Sequence, residues 1–146
     1  MPLSRDQILA TKGRLKRETV HVPEWATDGE DTVIVQELTG EARDEFEASL
    51  RMERPVGIPE PGKTPKTVTV PDLANTRAKL VARAVVDADG NALFTPADVF
   101  ALGQLSAAAL QRVFDAASRL SGMGDTSVED AKGNSDAAQS GDSTSD

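Results

Sequence analysis

Five prolines, at positions 55, 59, 61, 65 and 71, fall within RPVGIPEPGKTPKTVTVP, the stretch that runs from residue 54 to residue 71. Each one deletes a backbone donor and fixes φ, so no helix can cross this part of the chain. Whatever folds must be built from the residues on either side. Residues 54–71 therefore read as an extended, semi-rigid linker between an N-terminal half and a set of C-terminal helices.

The same stretch contains GIPEPGKT, residues 57–64, which satisfies the phosphate-loop pattern G-x-x-x-x-G-K-[ST]. Such a loop works by aiming consecutive backbone N–H groups at phosphates, between a buried parallel strand and a helix N-terminus. Pro59 and Pro61 supply no N–H, the preceding EASLRMERP is a charged helix end, and Pro65 follows Thr64 at once. The strand-loop-helix context is missing on both sides, which argues against a nucleotide hydrolase. Lys63 and Lys66 are expected to meet solvent or a partner protein.

Upstream, RETVHVPEWATDGEDTVIVQEL holds two β-prone runs around Asp28-Gly29, a strong hairpin signal. The spacing predicts an antiparallel hairpin over 17–38, with Val20 and Val22 sharing a face on the first run and Val33 and Val35 on the second. Pro23 puts the first strand at an edge or a bulge. Trp25 caps the apolar end, a ligand-stacking role being the other reading. The one histidine, His21, has no second histidine and no cysteine with which to complete a metal or nucleophile site. A helix over 40–53 follows, with Thr39 as N-cap, Phe46 and Leu50 on its apolar stripe, and Glu41, Asp44 and Glu45 near the positive end of its dipole.

Beyond the linker, residues 72–122 read as helices. Asp72 is a candidate N-cap for a stripe of Leu73, Leu80, Val81, Ala84 and Val85. Thr95-Pro96-Ala97-Asp98 has the form of a capping box with proline at the first helical position, and it places Val99, Phe100 and Leu102 facing inward. Ser106 opens the strongest helix, whose stripe of Leu110, Val113, Phe114, Ala117 and Leu120 ends at Gly122. Asp87, Asp89 and Asn91 mimic the first ligands of a calcium loop, but the turn glycine belongs where Ala92 stands, and a tight turn explains the run. No catalytic, cofactor or metal residue is assigned. The fold expected is α+β and mainly helical: an N-terminal β-hairpin followed by about four helices in one small domain spanning 17–122.

Charge is unevenly spread. The 146 residues carry a net −8 and no cysteine, which disfavours a phosphate-backbone binder and suits a reducing compartment, the cytoplasm. Residues 1–16 form a basic arm with Arg5, Lys12, Arg14 and Lys16, without the interleaved aromatics that nucleic-acid binding uses. Residues 123–146 form an acidic tail too poor in apolar residues to offset the entropy of ordering, and they read as disordered. No apolar run is long enough to span a membrane.

KLVARAVVDADGNALFTPADVFALGQLSAAALQRVFDAASRLSG, residues 79–122, together with VIVQELTGEARDEFE, residues 33–47, resembles the tail assembly chaperones of long-tailed bacteriophages. That resemblance implies a non-enzymatic protein that binds the tape measure protein during tail morphogenesis in the host cytoplasm and is absent from the finished virion. Implied partners are the tape measure protein, further copies of the chain and the tail tube protein, with no nucleic acid and no membrane. Trp25, Phe46, Leu50, Phe94, Phe100, Leu110 and Phe114 are the candidates for partner contact, weighed against a place in the core. The family also implies a programmed frameshift near the end of the gene, and Ala131-Lys132-Gly133 can be encoded as GCA AAG GGG, which contains a slippery A AAG GGG. The alternative is a structural virion component, a tail-tube or head–tail connector protein; those are richer in strand than a chain read as mainly helical beyond residue 39.

Overall fold

A computed structural model describes residues 1–123 and arranges their strands in two separate sheets. In chain order the elements are α1 (Arg5–Leu9), β1 (Arg17–His21), β2 (Thr32–Gln36), α2 (Gly40–Ala48), β3 (Arg51–Pro55), β4 (Thr67–Pro71), α3 (Thr76–Ala84), β5 (Val85–Val86), α4 (Val99–Gly103) and α5 (Ala107–Leu120). Short 3₁₀ turns at Pro23–Trp25 and Pro96–Asp98 join them. The class is α+β.

β2 is the middle strand of the larger sheet, whose order is β1-β2-β5. Its antiparallel register sets Val33 opposite Val20 and Val35 opposite Val85. The tight turn Thr27–Glu30 reverses the chain between β1 and β2, with Asp28 and Gly29 both at positive φ (50° and 84°) and backbone bonds in both directions between Thr27 and Glu30. That is the backbone twist that Asp-Gly favours. Val20, Val35 and Val85 are buried, and α5 packs across β1 and β2 and against α3. The helix can do so because Leu110, Val113 and Ala117 recur at helical spacing and are buried along it. Ser106 caps its first turn, accepting from the Ala109 N–H at 3.3 Å. Phe46 from α2 and Leu80, Val81 and Ala84 from α3 complete one core cluster.

The stretch 54–71 is not a linker. β3 and β4 pair antiparallel from Arg51 opposite Pro71 to Pro55 opposite Thr67. The prolines permit this by position: Pro55 and Pro71 end their strands, while Pro59, Pro61 and Pro65 lie in the connection at the tip. Pairing with β4 also shortens the helix expected over 40–53. It stops at Ala48, where the Ser49 hydroxyl donates to the Phe46 carbonyl, and residues 51–53 are strand.

Three further boundaries differ from expectation. α3 begins at Thr76 and not at Asp72, with Asn75 in the left-handed region at φ 57°, so that Leu73 is exposed. The same helix ends at Ala84, because Val85 and Val86, both β-branched, pair with Val35 and Ile34 and close the sheet. Met123, read as the first residue of the tail, is 1% exposed and belongs to the core, its N–H donating to the Ser118 carbonyl at 2.8 Å. The remainder of the acidic tail lies outside the described residues. Within the basic arm, Ser4 and Gln7 form a reciprocal capping box that starts α1, yet no residue of that helix is buried.

Met123→Ala is expected to lower the unfolding free energy by about 2–5 kcal/mol, the usual cost of truncating a core methionine. Urea denaturation of the full chain checks this; a change below about 0.5 kcal/mol would place Met123 outside the core.

Candidate functional site

Apolar side chains that a fold leaves in water mark where a partner can sit. They fall here in three places: Leu3, Ile8 and Leu9 on the N-terminal arm, Met52, Val56, Ile58 and Val68 on the β3–β4 hairpin, and Leu73, Leu93, Phe100 and Leu105 around α4.

The hairpin stands out from the body with all of β3 exposed and only Val70 of β4 half-buried. Its register gives it two unlike faces. Met52 opposes Val70 and Arg54 opposes Val68 on one, while Glu53 opposes Thr69 on the other. On the polar face Glu53 accepts from the Thr67 hydroxyl at 2.7 Å and the Thr69 hydroxyl at 2.8 Å, and these bonds, Thr67's first, hold its carboxyl below the usual carboxylate range. A lone two-stranded hairpin is marginal in water. This one is held at its base. The Asp72 N–H donates to the Leu50 carbonyl at 2.6 Å, and Lys79 Nζ on α3 reaches both flanks, donating to the Ser49 carbonyl at 2.7 Å and the Asp72 carbonyl at 3.1 Å beside the Asp72 carboxylate at 3.4 Å. The Lys79 side chain is 12% exposed, so it acts as a nearly buried clamp.

Around α4 the decisive residue is Gly103. A Cβ there would meet Asn75 Oδ1, so the missing side chain leaves room for the Asn75 amide at the start of α3. On the same short helix Val99 packs against the core and Leu102 is buried in it, while Phe100 is 72% exposed. Of the seven residues named from the sequence as partner candidates, Phe46, Leu50 and Leu110 are buried in the core, and Trp25, Phe94 and Phe114 pack half-buried against it. Phe100 alone among them is presented to solvent, against the expectation that it faces inward.

The β1–β2 connection is fixed electrostatically. Arg112 of α5 donates from both terminal nitrogens to the Glu24 carboxylate at 2.8 and 2.9 Å, and to the His21 carbonyl at 3.3 Å. The Arg112 hydrogen bond is the main cause that lowers the Glu24 carboxyl from 4.5 to about 2. Glu18 pairs with Arg119 on the same helix, and His21 faces Asp31 at 2.6 Å. The Arg112 and Arg119 pairs orient α5 against β1, and His21–Asp31 ties the end of β1 to the start of β2; together they form no reactive set.

The two motifs set aside in the sequence have structural places. GIPEPGKT caps the hairpin tip, and Lys63 turns back to Glu60, 2.9 Å from its carboxylate. Asp87 accepts from the N–H groups of Asp89 and Asn91 at 2.8 and 2.9 Å, the Asn91 bond being the main cause of its lowered carboxyl pKa. Its carboxylate is thus engaged by its own turn. Among the described residues no group of three or more histidine, aspartate or glutamate side chains could hold a metal ion, and no helix is long and apolar enough to cross a membrane.

The family model described as phage tail assembly chaperone matches residues 4–134. This chain belongs to that family. Tail assembly chaperones are assembly helpers and not enzymes. Among solved structures, that of the bacteriophage HK97 tail assembly chaperone is 18% identical, with a TM-score of 0.49 over 80% of this chain and 98% of that one. No curated protein sequence matches the chain. The sequence signal for Val68 is the alternation in TVTV, residues 67–70, masked by the prolines around it; for Met52 and Lys79 there is none.

Lys79→Met leaves the Ser49 and Asp72 acceptors without their donor and is expected to cost about 1–3 kcal/mol. Amide exchange in the β3–β4 ladder should quicken with it, and unchanged exchange there would show that Lys79 does not hold the hairpin. The Glu24 pair gives a pH signature. Because the folded carboxyl lies below its unfolded value of 4.5, its stabilising contribution is full above that pH and disappears as pH falls toward about 2. Arg112→Gln should therefore make the loss of stability over that acid interval shallower, which thermal melts across the range would read.

Proposed function

We infer that this tail assembly chaperone binds the tape measure protein while the phage tail is built, and that the apolar group around Phe100 is the contact. The observation that carries this reading is the exposure of Phe100, with Leu73 and Leu105 on the flanking segments. Tape measure proteins are long helical chains with apolar stripes, and an exposed aromatic side chain suits the face of such a helix. The Met52 and Val68 face of the hairpin serves a second contact, with neighbouring copies of the chain ranged along the same tape measure protein, and the tail tube protein is a further partner. The work is done in the host cytoplasm, and the chaperone leaves before the virion is complete. A longer frameshifted form arises at Ala131-Lys132-Gly133, which lie outside the described residues, and any alanine codon other than GCA at 131 removes that site.

Co-expression with the tape measure product tests the reading. The wild-type chain is expected to keep that product in the soluble fraction. Phe100→Asp replaces an exposed side chain, so its circular dichroism should match the wild type, and it should cost about 2 kcal/mol of binding, roughly thirtyfold in affinity. If the tape measure product is equally insoluble with and without the wild-type chain, the reading fails.

A further inference from the structure

The two ends of the chain are opposite in charge, and they leave the body side by side. Residues 1–16 carry Arg5, Lys12, Arg14 and Lys16 against Asp6, which is 4 − 1 = +3. Residues 124–146 carry Lys132 against Asp125, Glu129, Asp130, Asp136, Asp142 and Asp146, which is 1 − 6 = −5. After α5, the Ser121 hydroxyl accepts from the Leu38 N–H at 2.9 Å, and Met123 is buried. The adjacent Glu37 holds the root of the basic arm, its N–H donating to the Lys16 carbonyl at 2.9 Å and its carboxylate accepting from the Lys16 N–H at 2.9 Å. Ser121, three residues before the acidic segment begins, is thus bonded to the chain neighbour of the residue that holds the root of the basic arm, and Arg119 pairs with Glu18 beside that root.

We propose that the acidic segment 124–146 lies across the basic arm, residues 1–16, of its own chain. The arm is open to receive it. No residue of α1 is buried, and among the described residues Lys12, Arg14 and Lys16 make no ion pair. The rest of the surface steers the segment the same way. Residues 18–50, with α2 and the β1–β2 turn, sum to 1 − 10 = −9 and repel it. The hairpin region 51–71 sums to 4 − 2 = +2, and its Lys63 is already paired with Glu60. Length is sufficient: the segment's twenty-three residues reach at most ~3.3 Å each, on the order of 75 Å, so an arm rooted beside its origin lies well within range. Tethering at that distance gives an effective concentration on the order of millimolar, enough for a weak, salt-sensitive contact to form. The segment then covers the cations of the arm and competes with any other anionic surface that approaches it.

Zero-length carbodiimide coupling on the full chain, as an equal mixture of light and heavy isotope-labelled protein, tests this directly. Cross-links should join Lys12 or Lys16 to tail carboxylates within one isotope class, and their yield should fall about fivefold between 0.05 and 0.5 M salt as the Debye length shortens. The Asp136→Asn, Asp142→Asn double variant should reduce the yield as well and shift the amide resonances of residues 5–16 in the same direction as salt. The inference is overturned if tail cross-links go chiefly to Lys63 and Lys66, if they join light to heavy chains, or if none form and the arm resonances ignore both salt and the tail variant. None of these outcomes depends on the tape measure protein, so this inference and the proposed function fail separately.

Discussion

Leu110, Val113 and Ala117 can leave water only if something flat and apolar lies beneath α5, and the chain supplies it from segments far apart in sequence. β2 brings Val35, β1 brings Val20, and β5 brings Val85 from the end of α3. None of these strands could stand alone; two valines make no strand without a neighbour, and a two-stranded hairpin is marginal. Burial of the α5 stripe against this small sheet and α3 is what makes each of them worth forming. The ion pairs from Arg112 and Arg119 to Glu24 and Glu18 then fix how α5 lies on β1.

With the core closed in that way, the apolar residues left over are carried by projections. The β3–β4 hairpin contributes almost nothing to the core and depends on Lys79 for its direction. α1 is defined by its own capping box and buries none of its residues. Phe100 is displaced outward because α4 commits Val99 and Leu102 to the core and Gly103 to Asn75.

Periodicity and caps were legible where an element is stabilised by local rules. The α5 stripe, the Thr39 cap, the Thr95–Asp98 box and the Asp-Gly turn all have their signals within a few residues. The candidate site was less legible. Of seven apolar candidates three are core, three are half-buried, and the single exposed one was expected inside. An apolar residue on a short helix looks the same in sequence whether its face meets the core or solvent, because five residues of α4 are too few to define a stripe. Prolines at 55, 59, 61, 65 and 71 hid a hairpin, since composition does not say whether a proline ends a strand or interrupts one.

By itself the sequence determined that the chain is α+β, that GIPEPGKT lacks the consecutive backbone donors of a phosphate loop, and that residues 1–16 and 124–146 are opposite in charge, because these follow from backbone donors, side-chain period and ionisable groups residue by residue. Only the tertiary structure decided that Val85 and Val86 leave a helix to become a strand, that Met123 is core, and that residues 51–71 project as an arm. Each of those depends on residues distant in the chain: Ile34 and Val35 for the strand, the shared core cluster for Met123, Lys79 for the arm. Local propensity is outweighed wherever such a partner offers burial or a hydrogen bond that the segment cannot supply to itself.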